Sequence, residues 1–162
     1  MCDPKVVVGS KEVMEEITGT FPEVKESDIK FLWNTNKWDG KLSGMAEVNG
    51  DKVYFDMFYE CFPATVSIPA GDYTAEQLEE FQEELYKRTR IFKLIKLSPE
   101  ALKEEIERHE FFRQYVGTHC DYGSPGELRP THLHHIFYDK YPSSGVRRPE
   151  GEIVGWFKEG QT

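Results

Sequence analysis

Histidine is the side chain whose charge changes nearest neutral pH, and four of the five histidines in this chain lie between residues 119 and 135. His119, His132, His134 and His135 share that window with Cys120 and Asp121, and His109 stands one helical segment upstream. If residues 131–138 are extended, His132 and His134 share one face of a strand and can reach a single ion. His119 or Cys120, returning from the preceding loop, then supplies a third donor. Nitrogen and sulfur donors of this kind suit zinc or another divalent transition metal, tetrahedral and open at one position when catalytic. The spacing matches no established zinc signature and brings only one cysteine, so no cofactor is the first expectation and a metal at His119, Cys120, His132 and His134 the alternative. Cys120 is also a candidate nucleophile if an imidazole lowers its thiol pKa.

A second constellation lies on one helix. Glu105, His109 and Arg113 are spaced four apart, so their side chains meet along one helical face. A carboxylate that orients an imidazole is the geometry of general acid–base catalysis, which makes Glu105 and His109 the candidate catalytic pair. On the same wheel Leu102, Ile106, Phe112 and Val116 form the apolar stripe, with His109 near its middle. The bland reading is a half-buried histidine satisfied by a neighbouring carboxylate.

The elements that must hold these groups are well punctuated. The helix over 99–116 has Ser98 as cap, Pro99 as first residue, Glu100 in its first turn and Gly117 past its end. Residues 44–48 and 52–59 flank Asn49-Gly50-Asp51, a hairpin signal, and apolar residues on both faces of the second arm predict a central strand. A helix capped by Thr74, with Gln77 closing a capping box, carries Ala75, Leu78, Phe81 and Leu85 as its expected buried stripe. Glu76, Glu79, Glu80, Glu83 and Glu84 cover the rest as a solvated acidic face. Shorter signals predict strands over 5–8, 29–33, 91–97 and 152–157, and a weak helix over 11–17 capped by Ser10. The sum is an α+β fold: one domain over 1–162 with an antiparallel or mixed sheet of about five to six strands, two main helices packed on one face, and a surface loop over 141–151.

Composition narrows the function classes. The 162 residues hold 29 acidic against 20 basic side chains, a formal charge of −9, which repels phosphate backbones and argues against direct nucleic-acid binding. The aromatics, 11 Phe, 8 Tyr and 3 Trp, supply a core, because each buries a large apolar area. The absence of a long uncharged apolar run predicts no membrane span, and the N-terminus lacks the pattern of a secretory signal. Three sparse cysteines predict reduced thiols and a cytoplasmic setting.

Two functions follow as expectations. One is a binding protein, an inhibitor or immunity-type factor, that presents its acidic helix face and aromatic loops to a protein partner with a basic surface. Trp38, Glu76, Glu80, Arg147 and Arg148 are its candidate contact residues, since aromatics anchor interfaces and paired arginines grip anions. The other is a small hydrolase or nuclease-like enzyme built around His119–His135, with or without metal.

Overall fold

Asn49 and Gly50 both adopt positive φ, 52° and 84°, the conformation that Asn and Gly tolerate best and that closes a tight hairpin. The strands they join are β3 (Ser43–Val48) and β4 (Asp51–Pro63). The computed structural model describes residues 4–35, 42–63, 71–86, 89–123, 125–142 and 149–159, with backbone alone at 4–6, 62–63 and 81–86. The other strands are β1 (Pro4–Val8), β2 (Ile29–Asn34), β5 (Thr89–Leu97) and β6 (Gly151–Glu159). The helices are α1 (Lys11–Thr20), α2 (Ala75–Tyr86), α3 (Pro99–Tyr115) and α4 (His134–Lys140). The strands form one six-stranded antiparallel sheet in the order β2-β3-β4-β5-β6, with β1 alongside β4. With four helices this is an α+β fold. No helix among the described residues is long and apolar enough to cross a membrane.

The chain folds as two compact units. The first comprises Met1–Asp28, Asp56–Leu94 and Val154–Thr162. There Met14 of α1 packs against Tyr59, Cys61 and Ile91, and Phe92 stacks on Phe157 at 4.7 Å. β5 is buried at Arg90, Ile91 and Phe92 in succession, as a strand covered on both faces must be. Its Arg90 forms a buried ion pair with Glu60, the arrangement that lets a charge leave water. Residues 22–24 pair with β6, where Val24 N–H donates to the Trp156 carbonyl at 2.8 Å.

Two expectations are corrected in this unit. Ala75 and Leu78, expected in a buried stripe, are exposed, and so is every residue from Ala75 to Glu80; the side chains of Phe81 and Leu85, the rest of that stripe, lie outside those described. Cys61 is disulfide-bonded, so the cysteines are not all reduced. Its partner lies outside the described residues. The antiparallel pairing of β1 with β4, Val7 opposite Cys61, brings the start of the chain beside a residue more than fifty positions away. Cysteine spacing along the sequence cannot reveal such proximity.

The second unit comprises Ile29–Phe55 and Ile95–Ile153. Met45, Tyr54, Ile95, Leu97 and Ala101 form its core, with Leu32, Trp33, Leu102 and Ile153 packed around them. Ser98 caps α3 by accepting from Ala101 N–H at 3.2 Å. At the other end Gly117 has φ +152°, and a Cβ there would collide with the Glu127 carbonyl, so the exit from α3 requires glycine. The turn that follows covers the edge of β2: Asn34 N–H donates to the Cys120 carbonyl and Tyr122 N–H to the Leu32 carbonyl, both at 3.0 Å. This satisfies backbone groups that an open edge would leave unpaired.

Residues 131–138 are not extended. Thr131–Leu133 form a 3₁₀ turn that leads directly into α4. Leu133, Phe137 and Tyr141 stand at helical spacing, and burial of Phe137 favours the turn of chain that gathers them.

Candidate functional site

The most buried stripe of α3 is Ala101, Glu105 and His109, with Glu105 2% and His109 9% exposed. Of the expected stripe Leu102, Ile106, Phe112 and Val116, the first three are only half-buried and Val116 is buried. A helix that turns polar side chains inward must give them partners, because an unsatisfied buried charge or donor costs several kcal/mol. For His109 those partners come from two other segments of the same unit. Its Nε2 hydrogen-bonds Asp121 Oδ1, and its ring lies flat on the Trp33 indole, centroids 4.1 Å apart and planes 3° from parallel. The second carboxylate oxygen of Asp121 receives Arg113 Nε at 2.9 Å. Asp121 thus bridges two residues one turn apart on α3, and the bridge Trp33↔Asp121 ties the same turn to β2.

Electrostatics follow from this enclosure. Burial disfavours the imidazolium and holds the His109 pKa below its ordinary value of 6.5. The hydrogen bond and charge of Asp121 oppose that shift, while Arg113 adds to it. Burial wins, and His109 is neutral near pH 7. With Asp121 accepting, the neutral ring carries its proton on Nε2.

The expected site residues do not converge on one centre. Glu105 and His109 share the stripe, but the carboxylate bonded to His109 Nε2 belongs to Asp121. His119 lies in the turn after α3, its ring 5.3 Å from that of Phe112. Cys120 is a buried thiol in the turn that pairs with β2. His132 is exposed in the 3₁₀ turn, and His134 donates from Nε2 to the Arg129 carbonyl at 2.9 Å. Among the described residues no three His, Cys, Asp or Glu side chains are grouped to hold a metal ion. Glu76 and Glu80 are exposed on α2. Trp38, Arg147 and Arg148 lie outside the described residues.

Among the described residues, α3 borders a cavity at each of two places. One of about 360 Å³ is lined by Glu100, Glu104, Glu105 and Glu150 beside Ser98. The other, of about 250 Å³, lies against Glu107, Phe111, Lys140 and Tyr141. His109 lines neither.

Comparison with protein-family models, with curated proteins and with solved structures found no match to this chain. Sequence reasoning missed Trp33 and the aromatic residues around α4 as parts of these arrangements. Asp121 stood in the histidine window but was not paired with His109. The available signal for Asp121 was a lone carboxylate four residues beyond a helix-ending glycine, where the chain has just turned back.

Proposed function

We propose that the protein is a binding module for a protein partner with a basic surface, an inhibitor or immunity-type factor, and that α2 is its principal contact. One observation carries this reading: from Ala75 to Glu80 α2 is exposed on every side, with Leu78 48% exposed among Glu76, Glu79 and Glu80. The helix does not lack local order. Thr74 N–H donates to Gln77 Oε1 at 2.9 Å and Gln77 N–H to Thr74 Oγ1 at 3.2 Å, a capping box that sets its first turn. A preformed amphipathic helix with its apolar residue in water suits insertion into a groove. The surrounding carboxylates, within a chain of net charge −9, favour a basic rim and speed encounter.

The test is capture from host extract at low and high salt, with wild type beside Leu78→Asp and the pair Glu76→Gln, Glu80→Gln. The expected outcome is one specific partner, lost on Leu78→Asp and retained less strongly at high salt by the glutamine pair. Identical capture by all three proteins would remove α2 from the interface.

A hydrolytic reading draws its support from the His109–Asp121 hydrogen bond. Against it stand the indole over one imidazole face, the burial of the residue and its absence from the lining of both cavities. These features support a positioning role for His109, which locks the turn after α3 against β2.

A further inference from the structure

Along α3, Glu107, Glu110, Phe111 and Gln114 form a stripe at helical spacing, separate from the buried stripe that holds His109. These four side chains, with Lys140 and Tyr141 at the end of α4, line the cavity of about 250 Å³. Its aromatic part is a corner: the Phe111 and Tyr141 rings meet at 71° with centroids 5.9 Å apart. Phe137 backs both, 6.3 Å from Phe111 and 5.2 Å from Tyr141.

The corner already holds two cations: Arg108 Cζ lies 5.2 Å from the Tyr141 centroid and 5.6 Å from that of Phe137. Lys140 Nζ lies 4.5 Å from the Phe111 centroid and 5.6 Å from that of Tyr141. Glu107 and Glu110 line the same cavity, Glu107 paired with Lys103 Nζ at 3.9 Å, yet among the described residues the Lys140 ammonium forms no ion pair. It rests on the rings instead, within the ~6 Å at which a ring quadrupole attracts a cation. Lys140 is on an exposed, flexible stem, so the ammonium can leave for water at little cost. The Phe111 face would then be open to an incoming positive group, beside a Tyr141 ring that still carries Arg108, with the Glu110 carboxylate and the Lys103-paired Glu107 along the same wall.

We propose that this cavity binds an alkylammonium head group, the side chain of a lysine, methylated or not, on a protein partner, and that Lys140 is its intramolecular occupant. The carboxylates supply long-range attraction, and the aromatic corner supplies selectivity for a bulky, weakly hydrated cation over a metal ion. The site lies on a different helix from α2 and stands or falls separately from the docking role given to α2.

The experiment titrates tetramethylammonium chloride into isotopically labelled protein at constant ionic strength, observing aromatic NMR signals. The neutral isostere 3,3-dimethylbutan-1-ol serves as control. Saturable shifts are expected for Phe111 and Tyr141 with the cation and not with the alcohol. Lys140→Met should tighten binding about two- to fivefold by vacating the Phe111 face, and Glu107→Gln with Glu110→Gln should weaken it. Tyr141→Leu, with Phe111→Leu as a second variant should one fail to fold, should abolish the shifts. A trimethyllysine peptide should compete with tetramethylammonium. The proposal is overturned by an absence of saturable shifts in folded wild type and folded Lys140→Met. Equal response to the alcohol, or no tightening in Lys140→Met, overturns it as well.

Discussion

α2 and α3 are written in nearly the same alphabet, rich in glutamate with a few apolar residues at helical intervals, yet they meet opposite fates. α2 leaves Ala75 and Leu78 in water, whereas α3 turns Glu105 and His109 inward and leaves Ile106 half-buried. The difference lies in what each helix face meets. α3 meets Trp33, whose indole covers the imidazole, and Asp121, whose carboxylate binds both His109 and Arg113. Where partners of that quality exist, a polar stripe can be buried without loss. Apolar periodicity marks which residues share a face and leaves open which face is covered.

The contrast can be broken most severely at Asp121. Asp121→Ala removes the acceptor from His109 and Arg113 at once and should lower unfolding stability by about 3 kcal/mol, read from urea denaturation. Asp121→Asn, which keeps one acceptor oxygen, should lose less. If the alanine variant is as stable as wild type, the bridge is ornamental and α3 is held by its apolar contacts alone.

Acidification probes the same knot without mutation. The folded His109 pKa lies below the unfolded value of 6.5, so the unfolded chain takes up the proton first. The resulting stability is fully present above that value and is lost as pH falls through the folded pKa. Unfolding midpoints at successive pH values from 8 to 5 should therefore drop in wild type and change less in His109→Gln.

Cap substitutions extend the comparison to both helices. Ser98→Ala should destabilise the whole unit by about 1 kcal/mol, because α3 is packed into it. Thr74→Ala should act mainly by fraying α2, visible as faster amide exchange at its first turn with little movement of the global midpoint. The smallest effect is expected at Leu78: Leu78→Ala should leave stability within about 0.5 kcal/mol while reducing partner capture. A large stability loss there would mean that Leu78 is covered by the fold.

Much of the fold was legible locally. The hairpin at Asn49–Gly50, the cap residues Ser10, Thr74 and Ser98 and the glycine that ends α3 are short-range chemistry, settled by backbone dihedrals and hydrogen bonds within four residues. Even the centrality of β4 could be read from its two apolar faces. The site was less legible. Glu105 and His109 were placed on one face correctly, but the ring's partner came from Asp121, twelve residues on and past a turn. The histidines at 132–135 illustrate the same limit: alternation suggested a strand, while burial of Phe137 and contact with the α3 aromatics made a helix.

Sequence alone determined the caps, the turns, the acidic charge and which side chains line up along each helix, because those depend on neighbours a few bonds away. Tertiary structure alone decided that Ala75–Glu80 face water, that the histidines scatter and that Lys140 lies over aromatic rings. Those outcomes depend on segments far apart in the chain arriving at one place, and burial there outweighs the intrinsic preference of any single residue.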